Sequence, residues 1–229
     1  MESARSTYLS GIRDVLPLLL GVLPFGIVAG VAAIGIGMSK TLAIMTSAIA
    51  FAGASQLAAI DLMEKGAPVV IVIATALVVN LRMAMYSASI APHFAPLSGR
   101  WKGFLSYFLT DQAFALSLTR YGRGIEENNK KWYYLGTGTG LMGIWMLGTV
   151  IGVTLGSVVP VSWSLDFAVP LTFIALLAPA VKDRATMVSA LSAGIVAPVA
   201  IALPMQTGII AASITGVVAG YLFESRAGS

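Results

Sequence analysis

Between Lys65 and Arg100 the chain carries a single formal charge, Arg82. About 20 apolar residues cross a hydrocarbon core about 30 Å thick, so this arginine falls where lipid would surround it. Insertion scales put the cost of a charge at that depth at about 2.5–3.5 kcal/mol, and other measures put it higher. Such a residue needs a partner or a wet cavity, and the stretch from Gly53 to Pro92 reads as the working part of the chain. It opens on Gly53-Ala54-Ser55-Gln56, late in one apolar segment, and carries Asn80-Leu81-Arg82 inside the next.

The rest of the chain agrees with a membrane setting. Of its 229 residues 57% are hydrophobic and 10% charged, against about 25% charged in soluble domains. A net charge of +4, scattered over the connections, excludes a nucleic-acid footprint. There is no cysteine, and His93 is the one histidine; disulfides, thiol nucleophiles and the usual metal clusters fall away. The apolar run after Arg5 and Arg13 is longer than a signal-peptide core of about 7–15 residues and reads as a first span.

The fold class is all-α, a polytopic integral membrane helical bundle. Apolar segments fall at roughly 15–37, 41–63, 67–91, 101–120, 133–157, 166–181, 185–203 and 206–223, about eight spans forming one transport domain over 1–229. With the N-terminus inside, the inner loops collect Arg5, Arg13, Lys65, Arg120, Arg123, Lys130, Lys131, Lys182, Arg184 and Arg226. The outer loops collect Lys40, Arg100 and Lys102. This bias predicts a multi-pass protein of the cell membrane with both termini cytoplasmic. Leu23-Pro24-Phe25-Gly26 and Val169-Pro170-Leu171-Thr172 each begin a group of three segments. Two readings stand: an inverted repeat with halves 1–120 and 133–229 and interrupted first helices, or plain proline kinks.

Gly136, Gly140, Gly148, Gly152 and Gly156 form an i, i+4 ladder in the fifth segment, which Gly26/Gly30 and Gly216/Gly220 repeat more weakly. Small residues at that spacing let helices approach closely in lipid. They predict internal packing or, alternatively, a docking face for another subunit.

Arg82, Tyr86, Ser89 and His93 fall at i, i+4, i+7 and i+11, one face of a helix. Asn80 lies about 160° from Arg82 in an ideal helix, so either it bonds a neighbouring helix or the helix breaks there. Asp111 sits about ten residues into the fourth segment, near the midplane, and is the natural ion partner of Arg82. It is read either as a proton-coupling carboxylate or as half of a static pair. Ser55 and Gln56 are candidates for holding a polar solute or for interhelical hydrogen bonds. Asp61, Glu64 and Lys65 read as solvated, and His93 as an interfacial residue at the outer boundary. Phe25, Met83 and Phe114 are candidates for an apolar pocket. No nucleophile elbow or phosphate-binding loop appears; the reading is not an enzyme and calls for no cofactor.

Leu23-Pro24-Phe25-Gly26, Phe51-Ala52-Gly53-Ala54-Ser55-Gln56, Asn80-Leu81-Arg82 with Tyr86 and Pro92, Leu109-Thr110-Asp111, and Leu165-Asp166-Phe167 with Pro170 together give the chain a close resemblance to the AzlC family. These are the large subunits of branched-chain amino-acid permeases and exporters. The resemblance implies export of valine, leucine, isoleucine and sometimes methionine, with a small hydrophobic partner subunit of the AzlD type. It directs attention to Gly53, Ser55, Gln56, Asn80, Arg82 and Asp111. Met83 stands where the family commonly has an aromatic residue or histidine. The connection around Gly122 to Lys131 is too short to engage an ATPase, which favours a secondary, proton-coupled carrier. In that reading Ser55, Gln56, Asn80 and Arg82 fix the amino-acid zwitterion. Alternatives are a passive channel for small solutes and a non-transporting scaffold subunit; a homo-oligomer is open in each case.

Overall fold

The computed structural model describes residues 3–156, 181, 183–200 and 207–227. Every regular element among them is helical: α1 (Ala4–Val15), α2 (Leu19–Gly35), α3 (Lys40–Ala50), α4 (Gly53–Glu64), α5 (Val69–Val79), α6 (Leu81–Ile90), α7 (Gly99–Ser106), α8 (Asp111–Gly122), α9 (Lys130–Gly156), α10 (Arg184–Ala200) and α11 (Gly208–Ala227), with short 3-10 turns between some of them. Three described stretches, Val69–Phe94, Glu127–Gly156 and Gly208–Arg226, are long and apolar enough to cross a membrane. Ala4–Leu18 and Gly21–Gly35, bent by 71°, make a fourth if counted as one broken span. The segment expected at 166–181, with Val169-Pro170, lies almost wholly outside the described residues.

The chain divides into two compact units, one of residues 1–53 and 80–163 and the other of 54–79 and 164–229. Two of the crossings fall at helix breaks, beside Gly53 and at Asn80.

The first unit is built on α9. Its glycine ladder is the groove in which α1 and α2 lie. A Cβ on Gly136, Gly148 or Gly152 would come within 2.1, 2.6 or 2.1 Å of the backbone oxygens of Tyr8, Leu23 and Ile27. The glycines of the opposing helices answer in kind: a Cβ on Gly11, Gly26 or Gly30 would meet the carbonyl oxygens of Tyr133, Trp145 and Thr149 at 2.5, 2.9 and 2.4 Å. Backbones this close leave no room for any side chain, which is how small residues hold helices together in lipid. The internal-packing reading of the ladder is therefore the one realised. The contacts advance together along the helices, from Tyr8 on Gly136 to Val31 on Gly156, so α1 and α2 cross α9 in the same chain direction. The break between them falls at the 3-10 turn Leu16–Leu18, which holds Pro17; a ring nitrogen without a proton cannot continue the helical ladder. Pro24 sits inside α2, without ending it.

The segment expected to cross at 101–120 turns back instead. It descends α9 as α7 and returns as α8. Trp101 meets Trp132, with ring centroids 5.6 Å apart. Phe108 covers Gly138, and the Tyr107 hydroxyl reaches the Met142 thioether sulfur Sδ and the Ala48 carbonyl. Past the break, the Tyr121 hydroxyl is back at Lys130, donating to its carbonyl oxygen at 2.9 Å. The reversal has a local cause. Thr110 takes up extended backbone and its hydroxyl accepts from the Ala113 N–H at 3.2 Å, so a fresh helix starts at Asp111.

This hairpin corrects the expected topology. His93 lies 3.2 Å from Lys130 Nζ through Nδ1, and Lys131 Nζ is 5.4 Å from the Trp101 ring centroid. The connections around residues 93–101 and 123–130 therefore share one end of the unit, and Arg100 and Lys102 join the basic residues from which the charge count had separated them. His93 moves with them to that end. Arg5 is there too, beside Trp132. Lys40 begins α3 at the far end, past the C-terminus of α2.

In the second unit α10 and α11 form an antiparallel pair. A Cβ on Gly208 would meet Ala200, one on Gly216 would meet Ser189 and Ala193, and one on Gly220 Ser189 and Ala185. α4 ends in a left-handed Gly66, where the Ala67 N–H closes on the Leu62 carbonyl at 2.9 Å; glycine takes that conformation without a Cβ clash. Asp61 and Lys65 pair at 2.7 Å on the helix exterior, as solvated residues do. The outer faces of this unit are apolar: Val69, Val70, Leu77, Ile195 and Val199 are all strongly exposed, which only a lipid-like surrounding would favour.

Candidate functional site

Arg82 and Asp111 meet. Arg82 Nη1 lies 2.9 Å from Asp111 Oδ2. Each stands in the first turn of its own half-helix, Arg82 just after the break at Asn80 and Asp111 just after Thr110. Asn80 has φ −90° and ψ 0°, a bridge conformation that interrupts the helix. Of the two sequence readings for Asn80, the break is the one observed.

The depth of the pair follows from the helix rise. Arg82 is eleven residues before His93, and Asp111 ten before Tyr121, whose rings meet at 4.8 Å near Lys130. At 1.5 Å per residue both charges lie about 15–17 Å below that end, about half the thickness of a core about 30 Å deep. α6 and α8 thus run parallel from mid-depth to one face, with their N-termini side by side.

Electrostatically the two partners are not equivalent. A helix N-terminus carries about half a positive charge. That favours the Asp111 carboxylate at the start of α8 and disfavours the Arg82 guanidinium at the start of α6. Arg82 is tolerated because Asp111 faces it. Tyr86, one turn along α6, brings its phenol to the same carboxylate and stacks on Phe114, one turn along α8, at 4.4 Å. Arg82 Nε and Asp111 Oδ1 are buried and have no hydrogen-bond partner among the described residues. One cationic donor and one anionic acceptor of the pair are thus unsatisfied.

A second cluster, aromatic, forms deeper in the same unit, with Trp145 about 22 Å along α9 from Lys130. Phe25 and Trp145 meet edge to face at 5.8 Å, and a Cβ on Gly53 would strike both rings, at 2.5 and 2.9 Å. Trp145 Nε1 donates to the Ser47 carbonyl at 3.3 Å. Phe51, which ends α3 in a left-handed conformation at φ 37°, packs on Tyr107 at 6.0 Å. A non-glycine residue held there carries strain of order 1–3 kcal/mol, and this one marks the turn into the Gly53 motif.

Of the residues singled out from sequence, Arg82, Asp111, Tyr86 and Phe114 come together, and Phe25 and Gly53 come together with Trp145. Ser89 is exposed. Met83, beside Arg82, is partly buried. Ser55 and Gln56 are buried, at 4% and 6% exposure, in the first turn of α4, which belongs to the second unit. Trp145 and Tyr107 escaped the sequence reading, and Phe51 entered it only as part of the motif running to Gln56. Thr110 before Asp111 was an available signal, being a helix-capping residue in mid-segment. Among the described residues no three His, Asp or Glu side chains gather as a metal site requires.

An apolar, all-helical chain whose spans break into half-helices around a mid-depth ion pair is a polytopic integral membrane protein. The family model described as AzlC protein matches residues 17–159, and the chain belongs to that family. An uncharacterized membrane protein of Archaeoglobus fulgidus is 32% identical over 219 residues, covering 93% of this chain and 94% of that one. Inner membrane protein YgaZ of Escherichia coli is 27% identical over 229 residues, covering 94% and 92%. An uncharacterized membrane protein of Helicobacter pylori is 28% identical over 156 residues, 66% of each chain. No solved structure matches the chain.

Proposed function

We propose that this protein is a proton-coupled secondary carrier that exports branched-chain amino acids across the cell membrane. The observation that carries the reading is the Arg82–Asp111 pair at the N-termini of two half-helices, with Arg82 Nε and Asp111 Oδ1 unsatisfied. An amino-acid zwitterion offers the complementary groups: a carboxylate for the guanidinium and an ammonium for the carboxylate. Two helix N-termini add positive potential, the arrangement by which broken helices in transporters hold anionic groups. In this mechanism the substrate binds the ionised pair, its ammonium on Asp111 and its carboxylate on Arg82. A proton taken up by Asp111 from the outer side removes the ammonium's partner and releases the substrate. Loss of that proton to the inner side restores the pair, so proton and amino acid move in opposite directions. Phe25, partly exposed beside the buried Trp145 and packed on Gly53, is the apolar candidate for a branched aliphatic side chain.

Asn80 remains a polar candidate for the same substrate, Ser55 and Gln56 remain polar candidates within the second unit, and a small hydrophobic AzlD-type subunit is the partner the family resemblance implies. The gathering of Arg5, Arg100, Lys102, Arg120, Arg123, Lys130 and Lys131 at one end of the first unit supports a cytoplasmic location for that end under the positive-inside rule. The ladder glycines are filled by α1 and α2, which removes the main support for a scaffold that docks other subunits there.

The test is reconstitution into liposomes with radiolabelled leucine, with and without an imposed pH gradient. A coupled carrier accumulates leucine against its gradient only when the pH gradient is present. Flux that equilibrates without accumulating would identify a channel, and absence of flux with and without the partner subunit would end the transport reading.

A further inference from the structure

The end of the first unit where α1, α7 and α9 begin holds two clefts that the ion pair does not use. The larger, about 420 Å³, is lined by Ala4, Arg5, Tyr8, Trp132 and Leu135. The smaller, about 220 Å³, is lined by Arg100, Trp101 and Phe104. Trp101 and Trp132 stand between them, edge to face. Lys131 Nζ lies 5.4 and 5.5 Å from their two ring centroids, so cation–π attraction fixes its charge over the wall between the clefts. Among the described residues no acidic side chain lines either one.

Each cleft is therefore amphipathic in the same sense. Arg5, Lys131 and Arg100 supply positive charge; Leu135 and Phe104, the latter 52% exposed, supply an apolar flank. Tryptophan and tyrosine favour the level of lipid headgroups because one part of the ring is apolar and another polar. A soluble phosphate ester would satisfy the cations but leave the apolar flank wet. A phospholipid satisfies both, with its headgroup against the cations and its acyl chains along the protein wall. The volume of the larger cleft lies within the range of about 300–1,000 Å³ common to small-molecule sites.

We infer that this end of the protein binds an anionic phospholipid, with the phosphate and headgroup charge held by Arg5 and Lys131, and by Arg100 in the smaller cleft. The site lies about 15 Å from the Arg82–Asp111 pair along α8 and is independent of the transport reading.

Native mass spectrometry of the purified protein, titrated with phosphatidylglycerol or with neutral phosphatidylcholine, tests the site. Phosphatidylglycerol adducts should persist where phosphatidylcholine adducts do not. Arg5→Gln and Lys131→Gln should each weaken phosphatidylglycerol retention about fivefold, the usual worth of one cation near an anionic surface. Lys102→Gln and Arg123→Gln, which remove charges at the same end outside both clefts, should leave it unchanged. Arg100→Gln gives a second reading of the smaller cleft should Arg5→Gln lose its fold. Equal retention of the two lipids overturns the proposal, as does equal loss in the two control variants, which would indicate a diffuse basic surface. Displacement of the lipid by millimolar glycerol phosphate would identify a soluble-phosphate site and also overturns it.

Discussion

Asp111→Asn removes the counter-ion of Arg82 and leaves a guanidinium at a helix N-terminus that repels it. Two unit charges 2.9 Å apart attract by about 6 kcal/mol at an effective dielectric of about 20. Both side chains are more than one-third exposed in the isolated chain, so screening and the entropy of holding two long side chains reduce what can be measured. A coupling of about 1–2 kcal/mol is expected, above the 0.2–1 kcal/mol of surface pairs. The helix termini add an asymmetry of about 0.3–1 kcal/mol on each side: Asp111→Asn should destabilise more than Arg82→Gln, because the orphaned aspartate of the latter still sits at a favourable N-terminus. Unfolding of the two single variants and the double variant in detergent measures both quantities as a double-mutant cycle. In proteoliposomes Asp111→Asn should bind leucine but no longer accumulate it under a pH gradient. A coupling indistinguishable from zero, or Arg82→Gln proving the more damaging, would refute the electrostatic argument; uphill accumulation by Asp111→Asn would refute the coupling role.

Gly152→Ala places a Cβ about 2.1 Å from the Ile27 carbonyl oxygen and should destabilise by about 1–3 kcal/mol through overpacking, whereas Gly143→Ala, which meets nothing within 4 Å, should be neutral or stabilising; thermal unfolding separates them. The chain has no cysteine, so single-cysteine labelling reads topology directly: Arg100→Cys and Glu126→Cys should react from the same side of the membrane, and Ser39→Cys from the other. A through-span at 101–120 would put positions 100 and 126 on opposite sides. Asp183 accepts the Thr186 N–H at 2.7 Å, and that backbone hydrogen bond holds its carboxyl below the ordinary value. Its cap on α10 should therefore be intact above about pH 4 and weaken as pH falls through the lowered folded value. Amide protection at Thr186, corrected for intrinsic exchange, follows it, and Asp183→Ala should lack it at every pH.

Composition and hydrophobic runs alone determined that this chain is helical and lives in a membrane, because 57% hydrophobic residues with so few charges leave no soluble alternative. The lone Arg82 required a partner for the same energetic reason, and Asp111 was the carboxylate at matching depth. The glycine ladder announced close helix packing, since glycine at that spacing serves little else. Tertiary structure decided the rest. Hydropathy sums over a window and cannot register a reversal whose signal is one capping threonine, so the α7–α8 hairpin, and with it the side to which Arg100, Lys102 and His93 belong, appears only when Trp101 and Tyr121 are found at the same end of α9. The same holds for Phe25, Gly53 and Trp145. Nothing in their spacing links them, because contact across three helices depends on how backbones pack, and that packing is set by glycines elsewhere in the chain.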